Sequence, residues 1–133
     1  MIDYSKIITA ADKFEQAREA KLAQINSAFE QAASALTAGY PEAERMTWAT
    51  QQQEAMSWAA DENAPTPYLD GLAAARGITP QEMRQRALDQ TQLFMQASQQ
   101  LVGKRQRLRD QIQSATSSEE LALITWDEPQ AAE

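Results

Sequence analysis

The side chains of this sequence that could do chemistry are its carboxylates, its serines and its large aromatics. Two pairs of acids stand close together, Glu42 with Glu44 and Glu119 with Glu120. Paired carboxylates can run acid–base hydrolysis when both face one cleft and their surroundings push their pKa values apart. Here each pair falls in the first turn of an expected helix, where negative charge favours the helix dipole, and the structural role is the reading adopted. Ser5, Ser27, Ser34, Ser57 and Ser98 need a neighbouring base to act as nucleophiles. The sequence contains no histidine and no cysteine. Imidazole activation, thiolate attack, thiolate metal ligation and disulfides are therefore all excluded. There is no G-x-S-x-G elbow and no S-x-x-K pair. Gly39, Gly71, Gly77 and Gly103 are too dispersed for a phosphate loop, and no D-x-D-x-D-G calcium loop is present. The chain is expected to be no enzyme and to hold no cofactor and no metal.

The aromatics suit binding instead. Tyr40, Trp48, Trp58, Tyr68 and Trp126 are many large rings for an alanine-rich chain. Tryptophan is costly to leave exposed and is enriched at binding hot spots. Trp48 and Trp58 can be read as anchors of a thin second helical layer or as partner contacts. Trp126, near an end expected to fray, is the stronger candidate for a contact made only in a complex. These five residues form the candidate partner-binding set.

Composition limits who that partner can be. In 133 residues there are 19 acids against 12 bases, for a net charge of −7. Nucleic-acid binding needs accumulated positive charge, so nucleic acid is not the expected partner. Charge is nonetheless uneven. Between Glu42 and Glu62 five acids face only Arg45, whereas Lys104, Arg105, Arg107 and Arg109 cluster near the other end. These can be solvated helix faces, or patches that meet each other or steer a charged partner. Met1–Lys6 lacks the pattern of a secretory signal, and no stretch reaches the roughly eighteen apolar residues of a membrane span. A protein that stays in the cytoplasm where it is made, without membrane insertion, is expected.

The elements that must position these residues are helices. Alanine and glutamine dominate, glycine and proline are few, and the mix favours helix over strand. One domain with one core is expected over residues 1–133, with 1–8 and 126–133 as flexible ends. Thr9-x-x-Asp12 resembles a helix-start box. From it Phe14, Leu22, Ile25, Phe29, Ala32 and Leu36 mark one stripe, until Gly39 and Pro41 stop the helix. A short turn over 40–46 leads to Thr47, the expected N-cap of a helix reaching about Ala60, with Trp48, Ala55 and Trp58 or Ala59 inside. Asp61–Pro67 reads as a loop. Thr66-Pro67 then opens a brief helix, with the hydroxyl as cap, that stops at Gly77. Ile78-Thr79-Pro80-Gln81-Glu82-Met83 combines a capping box with a hydrophobic staple and starts a long helix to about Ala115. Its inner seam is Ala87, Thr91, Phe94, Ser98, Leu101, Arg105, Leu108, Ile112 and Ala115, flanked by a row of Leu88, Met95 and Val102. Gly103 lies within it, where it can mark a close crossing or a bend. Ser117–Glu120 caps a last short helix through Leu121, Leu123 and Ile124. The expected fold is all-α: an elongated antiparallel hairpin or bundle of two long helices, about 9–38 and 80–115, carrying two or three shorter ones. Such thin, alanine-rich layers often complete their burial against a second copy or a partner.

Several stretches carry a family resemblance. They are Tyr40-Pro41-Glu42-Ala43-Glu44-Arg45-Met46-Thr47-Trp48, Ala64-Pro65-Thr66-Pro67-Tyr68-Leu69-Asp70, Ala73-Ala74-Ala75-Arg76-Gly77-Ile78 and Gly103-Lys104-Arg105-Gln106, behind the alanine-rich Ala20–Asn26. Together they resemble small proteins or C-terminal helical domains of phage and prophage tail gene clusters, described as phage tail or tail-fibre assembly proteins. The likeness runs from about Lys13 to Ile124. Related proteins often have proline after the tryptophan, where this chain has Ala49, and many carry a β-rich segment ahead of the helices that this sequence lacks. The resemblance implies a non-enzymatic accessory protein, in the bacterial host's cytoplasm or associated with the virion, that assists tail-fibre or tail assembly by binding a tail protein. A minor structural tail component, or a helical adaptor or secretion-type chaperone, are the alternatives.

Overall fold

In the computed structural model, which describes residues 9–127, six helices follow one another. They are α1 (Ala10–Thr37), α2 (Glu42–Arg45), α3 (Trp48–Ala60), α4 (Pro67–Arg76), α5 (Pro80–Ser114) and α6 (Ser118–Leu123). No strand occurs among the described residues. The all-α expectation holds, and the two long helices start and stop within a residue or so of their expected limits. Residues 1–8 and 128–133, expected to be flexible, lie outside the described residues.

Local chemistry explains most helix ends. At the start of α1 the Asp12 N–H donates to Thr9 Oγ1 at 3.0 Å and the Thr9 N–H donates back to the Asp12 carboxylate at 3.3 Å. α4 ends in a Schellman turn: Gly77 has φ +75°, and the Ile78 N–H donates to the Ala73 carbonyl at 3.0 Å. Thr79 Oγ1 accepts the Glu82 N–H at 3.1 Å to open α5, while the Glu82 carboxylate turns outward to Arg86 at 2.6 Å. Ile78 and Met83 meet in one cluster, as a staple requires.

Two expected caps are corrected. Thr47 precedes α3 but has helical φ/ψ, which turns its hydroxyl away from the following N–H groups; it donates to the Glu44 carbonyl at 2.7 Å instead. Thr66 precedes α4, yet its buried hydroxyl donates to Asp70 at 2.9 Å. The N–H groups of Tyr68 and Leu69 are satisfied by the Glu54 carboxylate, at 3.1 and 2.9 Å.

The packed chain groups into two compact units, one made of the described residues up to Ser34 and from Gln100 onward, the other Ala35–Gln99. Each has its own apolar cluster, where the sequence predicts one core. In the first, Ile25, Leu108, Ile112, Ala115, Leu121 and Ile124 are buried, with Phe14, Leu22 and Trp126 against them. Its stretches of α1 and α5 run antiparallel: Arg18 donates to the Ala115 carbonyl at 3.0 Å, and Arg105 donates to Asn26 Oδ1 at 2.8 Å. In the second unit Ala55, Leu69, Ala73, Met83 and Ala87 are buried, with Leu72, Ile78 and Leu88 beside them. Alanine contributes three of those five, so the helices can approach closely but enclose little volume.

Every seam residue of α5 is buried or half-buried. Of the flanking row, Leu88 is half-buried against the second cluster, whereas Met95 and Val102 are exposed. Gly103 marks no close crossing, since a methyl group built on it would meet nothing within 4 Å.

Candidate functional site

The Ala35–Gln99 unit carries an open groove of about 820 Å³. Trp48, the first residue of α3, lines it. The turn before it is fixed by Thr47, whose hydroxyl donates to the Glu44 carbonyl and accepts from Gln51 Nε2 at 2.9 Å. This bracing sets where the indole leaves the backbone. Tyr40 stands edge-on to Trp48 with ring centres 5.1 Å apart, and Phe94 of α5 does so at 5.8 Å. Offset and edge-on aromatic geometry of this kind is favourable beyond the area it buries. The indole is only half-buried, so one side of this three-ring cluster stays open to the groove.

Leu36, Leu72 and Leu93 extend the apolar lining, and Leu93 is 62 % exposed. Gln52 and Gln90 add side-chain amides that make no hydrogen bond among the described residues. Three charged residues border the groove. Glu44 is its one carboxylate; Arg86 is paired with Glu82, and the Arg76 guanidinium rests on the Met83 sulfur at 3.6 Å. No serine lines it, and no second acid stands with Glu44 to make a hydrolytic pair. What it offers is an aromatic wall, free amides and a cation. That set can hold an apolar side chain and its flanking polar groups.

Three of the five candidate residues come together here: Tyr40, Trp48 and Tyr68 all line the groove. Trp58 does not; it is half-buried further along α3. Trp126 belongs to the other unit and packs against its apolar cluster. Its ring meets Phe29 edge-on at 6.3 Å, and Lys104 Nζ lies 4.3 Å over its face. The basic cluster near Trp126 has internal work as well: Lys104 covers the indole, Arg105 binds Asn26 and Arg109 pairs with Asp110 at 3.3 Å.

Sequence reasoning misses Phe94, Leu93, Leu72 and Arg76 as site residues. Phe94 falls on the α5 seam, where a half-buried ring and a core ring look alike. Leu93 leaves a signal, an apolar residue next to but off the seam. Arg76 leaves none beyond its place in the last turn of α4.

Among the described residues no group of three or more acidic side chains is gathered as a metal site would need, and no helix is long and apolar enough to cross a membrane. Comparison with known proteins finds no matching family model, no matching curated protein and no matching solved structure.

Proposed function

We propose that this chain is a non-enzymatic accessory protein that captures a segment of another protein in the aromatic groove of the Ala35–Gln99 unit. One observation carries the reading: a half-buried tryptophan, braced between Tyr40 and Phe94, lines an open groove of about 820 Å³. Tryptophan and tyrosine in partly desolvated pockets are the residues that dominate binding energy at protein interfaces. A groove of this size accepts one or two large side chains of a partner, not an extended flat surface.

Within that class, the sequence resemblance supports a helper of phage tail or tail-fibre assembly. Unfinished fibres expose apolar surface and unpaired strand edges, and a helical protein that covers such a segment keeps it from aggregating. Co-expression with the tail proteins of the same gene cluster tests this. The expected result is that a fibre protein stays soluble and co-purifies with the wild-type chain, and is lost with Leu93→Glu. Unchanged fibre solubility with and without the chain would overturn the assembly role. Recovery at fixed stoichiometry in purified particles would make it a permanent tail component instead.

A further inference from the structure

We infer that the segment held in the groove is acidic as well as apolar, presenting a carboxylate to Arg76 beside the large side chain that fills the space against Trp48. The inference rests on the groove being a protein-binding site, as proposed above.

The first observation is a charge left over. Of the arginines near the groove, Arg84 is committed to Asp70 at 3.0 Å and Thr66 at 2.8 Å, and Arg86 to Glu82 at 2.6 Å. Arg76 has no carboxylate partner among the described residues. Its contact is the thioether of Met83, a weak acceptor, at 3.6 Å. An exposed guanidinium at the border of an apolar groove offers a planar donor fork that matches a carboxylate geometrically, so an incoming acid can form a charge-assisted pair there.

The second observation is the polar lining. Gln52 and Gln90 hold amides without a partner among the described residues, and each can both donate and accept. A peptide main chain also presents donors and acceptors in alternation, and can pair with both. A fatty acid would pair its head group with Arg76 but leave these amides beside its tail, desolvated and unmatched. The combination therefore favours a peptide over a lipid.

The net charge of −7 works against an acidic partner at long range, and Glu44, the groove's one carboxylate, repels an acid placed beside it, so only contact with Arg76 favours the acid. At physiological salt this field decays over about 8 Å, whereas the Arg76 pair forms at contact. The preference for acid must therefore appear in dissociation rather than in encounter.

A bead-displayed library of random twelve-residue peptides, selected on the full chain, is the test. Selected sequences should pair an aromatic or branched apolar residue with a nearby Glu or Asp. In fluorescence anisotropy, changing that acid to its amide should weaken the best peptide about five- to tenfold, chiefly by faster release. With Arg76→Gln the acid and amide forms should bind alike. Because Arg76 is exposed, this variant should fold; circular dichroism and the melting temperature check that it does. Apolar peptides without acid enrichment, still lost with Leu93→Glu, would overturn the inference and leave the groove intact. Selected peptides indifferent to Leu93→Glu would overturn the groove itself, and this inference with it. Displacement of the best peptide by equimolar oleate would reassign the site to a lipid carboxylate and overturn the inference as well.

Discussion

Glu54 projects from α3 and accepts the N–H groups of Tyr68 and Leu69, at 3.1 and 2.9 Å. These belong to the first turn of α4, where N–H groups have no partner inside their own helix. A carboxylate there satisfies two donors and also meets the positive end of the helix dipole. Removing it with Glu54→Ala should destabilise the fold by about 1–2 kcal/mol. Glu54→Gln keeps one acceptor oxygen and loses the charge, and should cost about half as much. Thermal unfolding followed by circular dichroism checks both, at roughly 3–5 °C per kcal/mol for a chain of this size. Equal melting temperatures for the Ala and Gln variants would show that charge and acceptor contribute nothing separable. This contact is not legible in the sequence, because it joins residues fourteen and fifteen positions apart. Thr66, immediately before the helix, has the right type and place for the cap. Its hydroxyl is buried and drawn to Asp70 and Arg84, and a neighbour on another helix takes over.

Helix boundaries show how far local rules reach. Gly77 stands at φ +75° and Gly103 inside α5, and neither would bring an added methyl group within 4 Å of another atom. Space is therefore not the issue at either place, and backbone conformation alone sets the outcome. Gly77→Ala forces an L residue into the left-handed region and should destabilise by about 1–2 kcal/mol. Gly103→Ala replaces a poor helix former with the best one and should stabilise by up to about 1 kcal/mol. Urea midpoints moving in opposite directions are the expected result; a loss of stability with Gly103→Ala would mean that the helix depends on the flexibility of that glycine. Local grammar of this kind makes α1, α4 and α5 legible in the amino-acid order alone, through Thr9, Gly77 and Thr79. It also yields the α5 seam, since a three-then-four spacing must lie on one face. It fails at Thr47, because a residue that closes one helical turn, α2, cannot also take the extended backbone needed to cap the next.

On the scale of the whole molecule, one seam-bearing sequence resolves into two compact units. Alanine at a seam position says that helices pack but not how much volume lies between them, so two separate clusters are not legible in the pattern. The same ambiguity affects the tryptophans: a ring that completes a cluster and a ring that awaits a partner have the same sequence appearance. Trp126 packs on the first cluster beneath Lys104, whereas Trp48 opens onto the groove of the second unit. Their substitutions should therefore separate stability from binding. Trp126→Ala removes a half-buried ring and its cation–π contact, and should destabilise by about 2–3 kcal/mol, below the roughly 3–5 kcal/mol typical of fully buried rings. Its affinity for a groove-selected peptide, measured where the variant is still folded, should stay within about twofold of wild type. Trp48→Ala should do the reverse in emphasis, weakening that peptide by about tenfold or more while costing about 1–2 kcal/mol through lost contact with Tyr40 and Phe94. Trp48 meets Tyr40 and Phe94 whereas Trp126 meets Phe29 and Lys104, so stability losses in the double variant should add to within about 0.5 kcal/mol. If Trp126→Ala abolished peptide binding in the folded state, the binding surface would have to include the first unit. The groove of Tyr40, Trp48 and Phe94 would then no longer be sufficient to explain capture.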